Sequence, residues 1–529
     1  MVTGPTKGRS KSKRVADTAP LLVPLDFASR EPLHRQIYEG VRANILAGRL
    51  AADTRLPSSR VLAAELGVAR NTVVLAFDQL CAEGYLSARG GGGTRVRAAM
   101  PDSLTNVNVA RRMARAPHPP GAVREPSLRV ATAPTQVPTR WAQALAADPE
   151  TGISPSIDTR AFTLGMPAVD IFPAALWARL TARRWRSGAV FLGHAPAAGD
   201  EALRNAIASY VTSARGVRCT PDQVLMVSGA QQALDLAARV LVEPGDAVWM
   251  ENPGYLGARA ALAAAGARVI PVPVDDEGMN IDAGERLSPA ARVAYVTPSH
   301  QFPLGSIMSA SRRLALLTWA RRVGGWVLED DYDSEFRYSG RPIPCLQGLD
   351  TERGGSGRVL YIGTFSKTLA PALRLGYMIV PDELVDIFRA ARAIAGGHSP
   401  TPEQGVLADF MEAGHYGRHV RRVRALCAER QQTLLSAAES EIGDAMQLAP
   451  DAAGLHMVGW LQPGVSDRAA TAAAAREGVE VMPISRYSMV QLERGALLLG
   501  YAAFDEGEIR RGVQRLARAL ERGAISERG

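Results

Sequence analysis

Residues 361–377 read YIGTFSKTLAPALRLGY and set a single lysine, Lys367, in a loop of small residues after an apolar run, with Thr364 three positions before it and Arg374 seven after. A primary amine placed this way can condense with an aldehyde to a Schiff base. A hydroxyl and a guanidinium within its reach can hold a phosphate. Amine, hydroxyl and guanidinium together are what pyridoxal phosphate (PLP) requires of a protein.

Four other segments carry groups suited to the same ligand. In QVLMVSGAQQALDLAARVL an apolar run passes through Ser228, Gly229 and Ala230 into a helical pattern, and the amides of such a turn make an anion site. Alone, a glycine turn of this kind is common. WVLEDDYDSEF sets Asp330, Asp331 and Tyr332 at the C-terminal end of a strand, where open α/β sheets bind ligands. A carboxylate there can keep a pyridine nitrogen protonated and Tyr332 can bond the phenolic oxygen; capping of a following helix is the plainer use of the aspartates. WMENPGY brings Tyr255 to a turn from which its ring can stack on the cofactor face, although a half-buried core tyrosine gives the same letters. YVTPSHQFPLG ends a strand with His300, Gln301, Pro303 and Gly305, polar groups suited to the ring oxygen, while a lone histidine is more often structural.

These segments need a scaffold. From residue 158 onward, short apolar runs alternate with long helical patterns, and this alternation predicts a largely parallel, doubly wound sheet with helices on both faces. Residues 98–157 are rich in Pro, Ala, Arg and Ser and read as a semi-rigid linker. The 529 residues exceed one ordinary core, and a composition 47% hydrophobic and 22% charged is that of a folded chain. The four cysteines lie far apart without CxxC spacing, so no metal site is expected and the compartment reads as reducing. No apolar stretch reaches the roughly 20 residues of a membrane span, and a cytoplasmic location is expected.

The formal net charge of +8 permits nucleic-acid binding without requiring it. Residues 1–23 carry Lys7, Arg9, Lys11, Lys13 and Arg14 and read as a disordered basic arm, a flexible tail or a DNA contact. Over residues 24–97 the periodicity turns helical. Leu33, Ile37, Val41 and Ile45 form one stripe that stops at Gly48. A short helix follows through Val61, Leu62 and Leu66, then Gly67, then a second helix from Arg70 to Glu83. Two helices joined by so short a turn make a helix-turn-helix, whose second helix enters the major groove by its N-terminal end. Arg70, Asn71 and Thr72 stand there, side chains suited to base edges and phosphates. YLSARGGGGTRVRA then reads as a hairpin with its tip at Gly90 to Gly93, including Gly91 and Gly92, between Arg89 and Arg95. That is the form of a wing.

The segment LPSSRVLAAELGVARNTVVLAFDQLCAEGY resembles the GntR-type winged-helix family, whose pattern runs LPSxRxLAxxLGVSRxTVxxAxxxLxxEGY. The resemblance implies that Arg60, Arg70, Asn71 and Thr72 face DNA, with Ser58, Ser59 and the wing glycines on the backbone. Ala69 departs from the family's serine and removes an N-cap or phosphate contact. SGAQQAL, ENPGY, TPSHQFPLG, EDDYDSEFRY and GTFSKTLAPALRLGY, in that order, resemble the fold type I aminotransferases and, more closely, the MocR/GabR-type bacterial regulators. Those join a GntR-type winged helix through a long linker to an aminotransferase-like domain, here 158–529. By that resemblance Lys367 forms an aldimine with PLP, Asp330 faces the pyridine nitrogen, and Tyr332 approaches the ring oxygen. Tyr255 lies on the ring, while Thr364, Arg374 and Ser228 to Ala230 hold the phosphate. The family's late-strand arginine, which clamps a substrate carboxylate, is replaced by Leu498; Arg486 is a substitute from a neighbouring loop or a surface residue.

The expectation is a PLP-dependent transcriptional regulator that binds double-stranded operator DNA as a homodimer and senses PLP or an amino compound through Lys367. The alternative is an active aminotransferase carrying an autoregulatory DNA-binding module.

Overall fold

The structure, a computed structural model, describes residues 23–29, 31–89, 93–97, 160–186, 193–340, 344–352 and 357–526. The basic arm before residue 23, the linker over 98–157 and the wing-tip residues Gly91 and Gly92 lie outside the described residues. The chain divides into two compact units, Met1–Pro134 and Thr135–Gly529.

In the first unit, α1 (Leu33–Leu46), α2 (Ser59–Leu66) and α3 (Arg70–Ala82) precede a hairpin of β1 (Leu86–Arg89) and β2 (Gly93–Val96), paired antiparallel with Leu86 opposite Val96. The helical period puts Ile37, Val41 and Ile45 on one face of α1, where they are buried with Leu62, Val73 and Leu80. Val61 is 49% exposed, because the eight-residue α2 turns Leu62 and Ala63 inward. Gly67 ends α2 at φ 66°, the left-handed conformation that glycine adopts without cost. The hairpin is pinned to the loop before α2 by Asp53 N donating to Val96 O at 3.0 Å and Leu56 N to Thr94 O at 2.9 Å.

The second unit holds an eight-stranded sheet: β3 (Val224–Val227), β4 (Ala247–Asn252), β5 (Arg268–Asp275), β6 (Gly278–Met279), β7 (Val293–Val296), β8 (Trp326–Asp331), β9 (Val359–Thr364) and β10 (Gly376–Ile379). Their spatial order is β3-β10-β9-β8-β7-β4-β5-β6. Neighbours from β9 to β5 run parallel, as the alternation implied, while β10 lies antiparallel between β3 and β9, and β6 antiparallel beside β5. Strands β3, β7 and β9 are buried along their whole length. Leu225 and Val227 of β3 enter one apolar cluster and Val224 and Met226 another, so successive side chains serve the two faces of a sheet covered on both sides.

A second, four-stranded antiparallel sheet follows: β11 (Met446–Leu448), β12 (His456–Leu461), β13 (Met482–Pro483) and β14 (Ala496–Gly500), in the order β11-β12-β14-β13. Strand-helix alternation did not anticipate it, since its strands are short and only β14 is buried along its whole length. Helices His415–Glu441, Asp467–Arg476 and Glu506–Ser526 cover it through Leu434, Ala473, Val513 and Leu516.

Ala69 occupies the N-cap of α3 with extended backbone and no side-chain cap hydrogen bond. Ala69→Ser is therefore expected to stabilise the start of α3 by about 1 kcal/mol. Amide exchange of the first turn of α3, measured on the full chain, should slow several-fold.

Candidate functional site

The insertion of β10 between β3 and β9 decides where the lysine loop goes. Gly376 at the start of β10 is in register with Val227 at the end of β3 and with Thr364 at the end of β9. The Ser228–Gly229 turn, the Thr364-to-Lys367 loop and Arg374 therefore leave the sheet at one corner. The approach is close: a Cβ on Gly376 would lie 2.8 Å from Gly229 Cα, a distance that only glycine permits. Gly229 itself has φ 106° and stands before helix Ala230–Leu241 with no side-chain cap, so the first amides of that helix have no intrahelical acceptor. A Cβ on Gly229 would lie 3.4 Å from Arg374 Nη2, which places the guanidinium across the mouth of the turn. Arg374 reaches it from φ 52°, a left-handed conformation that costs a non-glycine residue about 1–2 kcal/mol. Thr364 Oγ1 accepts from Ser366 N at 3.1 Å and stays beside the loop.

Lys367 Nζ donates to Gly165 O at 2.6 Å. Desolvation pulls its pKa below the ordinary amine value, against the opposing pull of Asp333 and Asp330. A lysine shifted this way carries more of the neutral amine that a nucleophile needs.

Asp330 and Asp331 were equivalent as letters and are separated by the strand's two-residue period. Asp331 turns away from the lysine and accepts from Arg215 Nε at 2.8 Å, from Ser334 Oγ at 2.9 Å and from the Tyr361 hydroxyl. Asp330 accepts from the Tyr295 hydroxyl at 2.9 Å through Oδ2, while its Oδ1 is buried without a hydrogen-bond partner. Burial raises the Asp330 pKa to about 7, with Asp331 and Asp333 adding to the rise and Tyr295 and Lys367 opposing it. Behind it Glu251, also raised to about 7 by burial, accepts from Thr297 Oγ1 at 2.6 Å.

Tyr255 caps the start of helix Leu256–Ala264, with its hydroxyl 3.4 Å from Gln231 Oε1 and its ring 5.8 Å edge-to-face from Phe302. Burial pushes its pKa to about 12, with Asp330 and Tyr487 adding to the rise and Arg374 opposing it. His300 is fully enclosed. Its Nδ1 lies 2.8 Å from Asp333 Oδ2 and 3.0 Å from the Tyr332 hydroxyl, and its Nε2 lies 3.1 Å from Asp451 Oδ2. Burial works against its charge, yet Asp333 and Asp451 raise its pKa to about 10. Its bonds thus go to Tyr332 and the two aspartates, and it reaches the corner through Tyr332.

Lys367, Thr364, Arg374, Ser228 to Ala230, Tyr255, Asp330 and Tyr332 thus stand at the ends of β3, β4, β8 and β9 and the start of β10. Gly165, Tyr295, Phe302, Asp333 and Asp451 join them and were not singled out from the sequence. Tyr295, Phe302 and Asp333 carried a signal only by sitting inside quoted segments.

The residues fit PLP. An unpaired buried carboxylate oxygen can take a cationic donor, an amide turn faces a guanidinium, and a desolvated lysine is carried on the loop between Thr364 and Arg374.

In the first unit Arg60, Arg70 and Asn71 are exposed and Thr72 is half-buried at the start of α3. Ser58 accepts from Val61 N at 3.4 Å as the N-cap of α2, and Ser59 Oγ accepts from Arg70 Nε at 3.4 Å. Arg95 of the wing donates to Asp53 O at 2.7 Å while remaining exposed.

Comparison with known proteins agrees with both units. Residues 33–96 match the bacterial regulatory proteins of the gntR family, and residues 177–516 match aminotransferase class I and II. The chain is 41% identical to the probable rhizopine catabolism regulatory protein MocR of Rhizobium meliloti, over 94% of this chain and 95% of that one. It is 30% identical to the pyridoxine biosynthesis transcriptional regulator PdxR of Corynebacterium glutamicum, over 95% and 99%. Among solved structures, the α-aminoadipate aminotransferase LysN of Thermus thermophilus, complexed with N-(5'-phosphopyridoxyl)-L-leucine, superposes with a TM-score of 0.64 at 32% identity, covering 69% of this chain and 92% of that one. The second unit is thus a PLP domain of the aminotransferase type. Because the likeness to MocR runs through both units, the chain belongs to the MocR/GabR-type transcriptional regulators of the GntR superfamily.

Proposed function

We propose that this regulator reads operator DNA through Arg60, Arg70, Asn71 and Thr72 and registers PLP, or an amino compound that reacts with it, through Lys367. The observation that carries the reading is the buried, unpartnered Oδ1 of Asp330 in the same corner as Lys367 and the Arg374-facing turn. An orphaned buried acceptor costs about 1–3 kcal/mol, a deficit that a protonated ring nitrogen would remove. Bound PLP supplies an aldehyde carbon that condenses with a primary amine, releasing water, and a ring that accommodates negative charge. The chain's own residues do the rest. Lys367 offers the amine, Asp330 holds the ring proton, Tyr255 covers the ring, and Tyr332, braced by His300, meets the ring oxygen. Thr364, Arg374 and the Ser228–Ala230 amides take the phosphate. Further parts of the reading are a winged helix over 24–97, a linker over 98–157, an effector domain over 158–529, a homodimer on paired half-sites and a cytoplasmic setting. The names of its relatives suggest genes for pyridoxine synthesis or for catabolism of an amino compound as targets. An aminotransferase would turn amino donor and keto acid over steadily, and its absence at ordinary enzymatic rates is expected.

Three measurements test this. Purified chain reconstituted with PLP should show a visible absorbance band that Lys367→Ala removes; a band unchanged in the variant rules out covalent attachment there. In gel shifts with the chain's own upstream DNA, Arg70→Ala should weaken specific binding about tenfold or more, and binding should fall steeply with salt.

The third is pH dependence. The Asp330 pKa is raised in the folded, cofactor-free chain, so its contribution to stability is present below pH about 4 and lost as pH rises through about 7. PLP needs the ionised carboxylate, so its binding should gain from the same rise. Between pH 6 and 8 the apparent affinity of the wild type should increase relative to Asp330→Asn by up to about tenfold. Parallel profiles would remove Asp330 from the site.

A further inference from the structure

Helix Glu201–Arg215 ends at a half-open recess of about 290 Å³, a volume that includes the solvent at its mouth. Three guanidiniums and two hydroxyls line it, those of Arg215, Arg313, Arg337, Ser299 and Ser334, and no carboxylate does among the described residues. Arg215 and Ser334 both bond Asp331, so the recess lies on the Asp331 side of β8, opposite to Asp330. Arg337 is brought there by an isolated antiparallel bridge to Ala453, which also borders the recess.

The three cations are matched to different degrees. Arg215 donates from Nε to Asp331 Oδ2 at 2.8 Å and from Nη2 to Ser299 Oγ at 2.8 Å. Arg313 donates to the carbonyls of Met308, Pro298 and Pro344, and Glu329 Oε1 lies 3.9 Å from its Nη1. Burial raises the Glu329 pKa to about 7, so that carboxyl is only partly ionised at neutral pH. Arg337 has neither kind of partner. Among the described residues its side chain makes no hydrogen bond and no ion pair, and its Nε is buried with nothing to donate to.

Like charges gathered around one recess repel, and the repulsion grows as solvent is excluded. An oxyanion placed among them removes the repulsion and takes the idle donors. The planar fork of a guanidinium matches two oxygens of a carboxylate or phosphoryl group. The Ser299 hydroxyl, which accepts from Arg215, keeps its own hydrogen to donate.

We propose that this recess is an oxyanion site separate from the corner around Lys367, in which Arg337, Arg215 and Arg313 supply the charge and Ser299 a further donor for a single phosphoryl or carboxylate group. It does not depend on Lys367 carrying the cofactor.

The test uses the full-length chain loaded with PLP, so that the turn facing Arg374 is already filled, and inorganic phosphate as the probe at constant ionic strength. Titration calorimetry should show saturable binding. Arg337→Gln should raise the half-saturating concentration about tenfold or more, and Arg337→Lys, which keeps a point charge without the fork, should raise it less. In the wild type, phosphate should slow deuterium exchange of the amides at 334–338 and 453–454, a readout that decides the matter even if Arg337→Gln fails to fold. Acetate and glycerol 3-phosphate, titrated in the same way, separate a carboxylate source from a phosphate ester. No saturable binding of any of the three, binding that ignores Arg337→Gln, or binding that leaves those amides unprotected overturns the proposal. A chain that takes up no PLP yet keeps phosphate binding dependent on Arg337 overturns the Lys367 reading alone.

Discussion

The antiparallel insertion of β10 is the constraint on which the cofactor corner depends. A parallel order running directly from β3 to β9 would set the phosphate turn and the lysine loop on neighbouring strands with no third strand starting between them. With β10 inserted, the residue just before that start, Leu375, and Arg374 beside it lie at the corner where β3 and β9 end. The price is room. Gly376 must lack a side chain so that Gly229 can pass within contact, and Gly229 must take φ 106° so that the helix amides turn toward the guanidinium. Arg374 then carries the strain of a left-handed backbone, which persists because strands on both sides fix its neighbours.

Charge is distributed unevenly around that corner. Asp331 is paired on its side of the strand with Arg215, Ser334 and Tyr361, and these partners hold its pKa below the usual carboxylate value despite burial. Asp330, one residue earlier, has one tyrosine hydroxyl and an empty second oxygen. Two adjacent carboxylates thus sit in opposite electrostatic states: the Oδ1 of each is buried without a hydrogen-bond partner, but only Asp331 has a guanidinium against it. A ligand that binds the folded chain and supplies the missing donor stabilises the fold by mass action, so occupancy and stability are linked.

Much of this was legible in the sequence, and the illegible part has physical reasons. Lys367, Asp330, Tyr255 and the Ser228 turn could be read because each follows an apolar run, and strand ends are where open sheets place ligands. The choice of Asp330 over Asp331 came only from the family resemblance, because it depends on the phase of the strand, which residue types alone do not fix. His300 was visible only as a polar residue near a strand end. Its partner Asp451 lies about 150 positions away in a loop with no pattern of its own, and only folding brings the two within 3.1 Å. The C-terminal sheet was missed for a related reason, since its short strands pair antiparallel across long helical insertions and leave only ALLLGYA as a distinct run. In the winged helix the period located the helices, but it did not say which apolar residues would be covered. Val61 is apolar and periodic, yet a two-turn helix has too little length to bury every such residue.

The His300 cluster explains how chemistry at the corner can be felt elsewhere in the second unit. Asp333 follows the end of β8 in the large sheet, while Asp451 lies between β11 and β12 of the small one, so a single buried imidazolium joins the two sheets. The joint has no slack. A Cβ on Gly454 would lie 2.1 Å from His300 Cε1, and one on Gly305 would lie 2.3 Å from Asp451 Oδ2. Removing one member of a buried ion pair costs about 3–5 kcal/mol, so such a contact is made or broken rather than gradually stretched. The Tyr332 hydroxyl shares Nδ1 of the same histidine with Asp333. Any ligand that competes for that hydroxyl changes the balance of the cluster, and a ligand shifts a conformational equilibrium only through such a difference in interaction. Tyr332, the group proposed to meet the cofactor, and the group that ties the two sheets together are therefore one hydrogen bond apart.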